Sequence, residues 1–145
     1  MQRLTERFAA EVHTIAEPLE RMEHALRVYL DFFREHPEYV ELLILERAEF
    51  RDRKKPTYFE HRDAHMQRWH ELFRNLIAEG RMRDVPVERT AEVLGDLVYG
   101  AMFNDYFAAR DEPIEARAEQ IMDVLFHGIL SDAERRNRKC RRGTS

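Results

Sequence analysis

Serine and cysteine are nearly missing from this chain. The only serines are Ser131 and Ser145, and the single cysteine is Cys140, so all three lie at the C-terminal end. The body of the protein therefore lacks the nucleophile that acyl- or thiol-transfer chemistry needs, and one chain can build neither a disulfide framework nor a cysteine-based zinc site. Glycine and proline number five each, and no Gly-rich phosphate loop is present. No apolar run approaches the roughly 20 residues a membrane span requires, and the opening stretch MQRLTERFAAEVH is too charged for a signal peptide. We therefore expect no membrane association, no enzymatic activity, no cofactor and a cytoplasmic location.

What is present is charge and helical spacing. Over 145 residues, apolar side chains make up 43% and charged ones 36%, the balance of a single helix-rich domain. The net charge is −4, but residues 133–145 (AERRNRKCRRGTS) carry six Lys/Arg against one Glu. The body is thus more acidic than the total suggests and would repel a phosphate backbone, while the basic tail is expected to be a solvated, disordered end.

Apolar residues recur at i+3 and i+4 throughout. Leu4, Phe8, Val12 and Ile15 predict an opening helix over residues 1–17. Pro18 suits the first turn of a second helix with a stripe of Leu19, Met22, Leu26, Tyr29, Leu30 and Phe33. His36-Pro37 ends it and begins a third, over 38–50. A fourth helix follows Pro56 and runs to Gly80, carrying Tyr58, His61, His65, Trp69, Leu72, Phe73 and Leu76 on one broad face. A fifth starts near Pro86 and a sixth after Pro113. The fold class is all-α, a bundle of about six helices. The last two are apolar over more than half their circumference, which one small bundle cannot hide. They are expected to meet a second copy in a four-helix dimer interface.

Three segments carry a family resemblance: DFFREHPEYVELL, LIAEGRMRDVPVERTAEVLGDLVYG and IMDVLFHGIL. Phe33 with His36-Pro37-Glu38, Gly80 before the Asp84/Pro86 turn, the Ala91, Leu94, Leu97, Gly100 pattern and the closing Asp123, Leu125, Gly128, Leu130 resemble the C-terminal effector-binding and dimerisation domain of the tetracycline-repressor (TetR) family of transcriptional regulators. The resemblance covers residues 18–132 and rests on helix-packing patterns rather than chemistry. It implies a repressor's sensing half, a homodimer that binds a small effector, with residues 1–17 as a connector helix. The family places a helix-turn-helix domain ahead of this region, and no recognition helix is legible here. DNA contact is therefore expected only through a domain absent from this sequence.

Three histidines fall between Tyr58 and Glu71. His61 and His65 share a helix face and could clip a metal, but a metal needs a third ligand. His70 is turned about 100° away, and Arg62 stands where the zinc-protease motif requires Glu. No histidine has Glu three residues before it, so the di-iron bundle motif is missing too. No metal is expected, leaving a polar pocket lining or plain packing and exposure. Aromatic and Met residues with scattered polar groups fit either a dry core or a ligand cavity. The resemblance favours the cavity, expected between the second and fifth helices and lined by Phe33, Glu46, Phe50, His65, Trp69, Phe73, Tyr99, Met102, Phe103 and Tyr106. The interface is expected at Leu97, Ala101, Asp105, Ala118, Ile121, Met122, Leu125, Phe126 and Ile129. Two other readings remain: a ligand-free helical module that pairs with full-length relatives, and a bundle-core metal enzyme.

Overall fold

Each of the five prolines stands at a helix start. A computed structural model describes residues 1–50 and 52–128, with helices α1 (Gln2–Glu11), α2 (Pro18–Glu35), α3 (Pro37–Glu49), α4 (Thr57–Ala78), α5 (Val87–Phe107) and α6 (Ile114–His127). Pro18 and Pro37 occupy the first turns of α2 and α3, and Pro56, Pro86 and Pro113 are the N-cap residues of α4, α5 and α6. Proline fixes φ near the helical value and lacks the N–H that a first turn cannot satisfy anyway. No strand occurs among the described residues. The basic tail and Ile129 lie outside them.

The first helix is shorter than its apolar spacing predicts. α1 stops at Glu11, and a turn leads to Glu17, whose side chain accepts a hydrogen bond from the Glu20 backbone N–H at 2.7 Å and caps α2. The chain then reverses, so α1 lies back along α2. Leu4 and Val12 are buried in that contact, and the Arg7 guanidinium donates to Asp31 and to Glu35 of α2. Helix α4 ends in a reversal of its own. Gly80 has φ +70°, a left-handed conformation that costs glycine little, and Arg81 N–H returns to Leu76 O at 2.9 Å.

Helix α2 is the centre of the bundle, packed against α1, α3, α5 and α6, while α4 packs against α5. Its spacing turns Met22, Leu26, Tyr29, Leu30 and Phe33 inward, with Ala25, Val28 and Phe32 widening the buried stripe. Phe32 and Phe33 meet edge to face at 5.3 Å. Among the described helices none is long and apolar enough to cross a membrane.

Candidate functional site

A cavity of about 500 Å³ lies between α1, α2, α4, α5 and α6. Helix α1 closes one side with Leu4 and Phe8, α2 supplies Met22, Leu26 and Tyr29, and α4 supplies Trp69 and Phe73. Leu94 and Val98 of α5 with Ile121, Met122 and Leu125 of α6 complete the apolar wall. The predicted position, between the second and fifth helices, is thus shifted. Helix α3 contributes nothing, and α1 and α6 do, because α1 folds back onto α2 instead of leading away from it.

The polar side chains gather at one edge. His61, His65 and Arg68 follow i, i+4, i+7 along one face of α4, opposite Thr5 of α1 and His13 of the turn that follows it. Thr5 Oγ1 and His61 Nε2 are 2.7 Å apart, and the His61 and His65 rings lie 4.5 Å centroid to centroid. His65 Nδ1 donates to the His61 backbone carbonyl at 2.8 Å. Arg68 Nη1 lies 2.6 Å from His13. Burial depresses the basicity of His61, reinforced by the neighbouring His65 and the Met1 amino group. Burial likewise depresses His13, helped by Arg68, Arg21 and His65. The carboxylates nearby are engaged: Asp63 with Lys55 and Arg62, and Glu71 with Gln67 at 3.2 Å. Among the described residues no three metal-ligating side chains converge.

Deeper in, Tyr29 and Tyr58 share a hydrogen bond of 2.7 Å, and Tyr29 Oη donates to Met102 Sδ at 3.4 Å. Burial raises the Tyr29 phenol and pushes that of Tyr58 up to about 12, so both stay protonated and the pair remains hydrogen-bonded. Tyr58 also borders a second cavity, of about 360 Å³, bounded by Leu43 and Pro56 and by Phe59 and Tyr99. Arg62 crosses α4 to α5 beside Gly95, where a Cβ would meet its side chain at 3.6 Å, and covers the Phe59 ring at 4.8 Å.

Of the ten residues predicted to bind ligand, His65, Trp69 and Phe73 line the larger cavity and Tyr99 the smaller. Phe33 and Met102 are buried core residues, at 4% and 2% exposure. Phe103 meets Tyr99 edge to face at 4.9 Å, and Tyr106 donates to Glu41 of α3 at 3.1 Å. Phe50 is 63% exposed. Glu46 serves the backbone: its carboxylate accepts from Thr57 N–H at 3.0 Å and Thr57 Oγ1 at 2.7 Å, capping the start of α4. The Thr57 hydroxyl first, and then its N–H and Arg53, holds that carboxyl below its ordinary range.

The residues predicted for an interface also divide. Ala101, Ala118 and Met122 are buried within the subunit, and Leu97, Ile121 and Leu125 face the cavity along with Met122. Helical spacing marked these positions as apolar but does not say which neighbour covers them. Asp105 accepts from Arg110 and Arg117 through Oδ1, its Oδ2 buried without a hydrogen-bond partner. Phe126 is exposed. Sequence reasoning missed His13, Leu4 and Phe8, because their position depends on the reversal after α1, and it missed Arg68, although the i+7 spacing from His61 marks it on the same face of α4. Only the i+3 and i+4 apolar stripe of α1 hinted that this helix must pack against something.

Fold and site together define an all-helical domain wrapped around an apolar cavity with a polar mouth. The model of the tetracyclin repressor-like C-terminal domain matches residues 16–102, and the chain belongs to that family. No curated protein and no solved structure matches it.

Proposed function

We propose that this chain is the effector-binding and dimerisation domain of a tetracycline-repressor-like transcriptional regulator, and that it senses a small apolar or amphipathic molecule in the larger cavity. The observation that carries this reading is the cavity itself. At about 500 Å³ it falls within the roughly 300–1,000 Å³ of ligand pockets, with apolar walls and a few convergent polar groups. A ligand-free interaction module would be served by a close-packed core, so the cavity weighs against it. His65, Trp69 and Phe73 carry over from the sequence as binding residues, joined by Leu26, Tyr29 and His61.

Homodimerisation rests on family membership and on the outer faces of the last two helices. Val93, Gly100 and Phe107 are seven residues apart along α5 and share a face, with Val93 and Phe107 at 59% and 69% exposure. A Cβ at Gly100 would meet nothing within 4 Å, which leaves room for a partner helix to approach closely. Val124 and Phe126 extend the exposed apolar surface on α6. In an intact regulator two recognition helices must sit about 34 Å apart to enter successive major grooves. A ligand changes that spacing only through unequal affinity for two arrangements. Helix α1, which touches the cavity, is the natural transmitter toward an N-terminal DNA-binding domain.

A thermal-unfolding screen against apolar and amphipathic compounds, run at two protein concentrations, tests both parts. A cavity ligand at 100 times its dissociation constant stabilises by about 2.7 kcal/mol, and a dimer unfolds at a midpoint that rises with protein concentration. No ligand-induced shift across the screen would overturn the sensing role, and a midpoint independent of concentration would overturn the dimer.

A further inference from the structure

The polar edge of the cavity says more about its occupant than the apolar walls do. Every ionisable side chain on the row from His61 to Arg68, and on the facing part of α1, is a potential cation. His61, His65 and Arg68 stand on α4 and His13 in the turn after α1, with Arg21 of α2 adding to the field at His13. The groups that face His61 are Thr5 of α1, His65 of its own helix and the Met1 amino group; none is acidic. The one lining carboxylate, Glu71, is exposed and bonded to Gln67. Arg62 is already paired with Asp63, whereas Arg68 contacts His13 rather than a carboxylate, so its positive charge stands at the mouth, above an apolar floor.

We propose that the cavity takes an anionic amphiphile, its alkyl or aryl body on the apolar floor and a carboxylate-like head between His61, His65 and Arg68, with a proton taken up at His61 on binding. This rests on the reading of the cavity as the effector site. Burial and neighbouring positive charge push His61 and His13 toward their neutral form in the free protein. An anion placed among them reverses that balance and favours the imidazolium, which also gives the head group charge-assisted donors. Binding therefore tightens as the pH falls from 8 to 6. Each methylene added to the chain tightens it about fourfold until the floor is full.

The test is calorimetric titration of the intact chain with decanoate, decanol and decyltrimethylammonium at pH 6.5, each below its micelle concentration. We expect one decanoate per chain, bound at least about tenfold more tightly than either analogue. Repeating the decanoate titration in buffers of different ionisation enthalpy should give a slope that reports net proton uptake. His61→Gln should lower that uptake, and Arg68→Gln should weaken decanoate about tenfold while leaving decanol unchanged. Decanol or decyltrimethylammonium binding as tightly as decanoate would overturn the anion preference and leave the effector reading standing. A zero buffer slope would overturn the role of His61. Failure of all three compounds to bind would overturn the effector reading as well.

Discussion

Helices α2 and α3 are consecutive, both rich in apolar residues, and have opposite fates. Helix α2 buries eight side chains, whereas α3 buries only Val40. The difference is one of period. Apolar residues of α2 recur every three or four positions and form one stripe, while those of α3 come as the run Leu42-Leu43-Ile44-Leu45 and point all round the helix. Leu42 and Leu45 are accordingly 57% and 55% exposed. Apolar content alone does not build a core. Helix α3 is held at its ends instead: His36-Pro37 joins it to α2, the Glu46 carboxylate clamps the first turn of α4, and Glu41 accepts from Tyr106 of α5.

The sharpest way to break this contrast is a pair of alanine substitutions followed by denaturant unfolding. Phe32→Ala in α2 should cost about 3–5 kcal/mol, the usual loss for a buried aromatic and the cavity it leaves. Leu45→Ala in α3 should change stability by no more than about 0.5 kcal/mol. A large loss at Leu45 would mean that the outer face of α3 is covered by a second copy. Next in size, Glu46→Ala should cost about 1 kcal/mol, as loss of a helix cap does. Because the Glu46 carboxyl is depressed in the fold, its contribution is complete above the ordinary glutamate value, about 4.3. It disappears as the pH falls through the lower folded value, and the variant should lack that acid-side slope.

The smallest effect concerns α1. His61 is depressed in the folded state, so the unfolded chain binds protons more readily, and stability rises with pH across the window below the ordinary histidine value, about 6.5. That contribution is complete above this value and is lost as the pH falls toward the folded one. His61→Gln should flatten the slope between about pH 5 and 6.5, as read from unfolding midpoints in stepped buffers. An unchanged slope would contradict the burial of the His61 ring against α1.

The helices were legible because local chemistry determines them: prolines mark their starts, Gly80 marks the end of α4, and the apolar period sets their faces. The cavity was only half legible. His65, Trp69 and Phe73 share one face of α4, so spacing was enough to find them. Leu4, Phe8 and His13 reach the same cavity only because the chain reverses between Glu11 and Glu17, which no periodicity reveals. Glu46 looked like a polar group for a pocket, but a carboxylate one helix away from an open N-terminus is better used as a cap, and that geometry appears only in three dimensions. Met122 and Leu125 were apolar for a reason that spacing reports correctly, while the partner they face is set by how α6 leans on α2.

The most direct measurement uses the chain's single tryptophan, Trp69, which stands on the cavity wall. Titration with 10-bromodecanol, whose bromine quenches indole emission on contact, should give saturable quenching with one equivalent bound per chain, relieved by an unbrominated competitor. Quenching that grows linearly with concentration and is not relieved would show that no ligand enters beside Trp69, and would contradict the assignment of this cavity as an effector site.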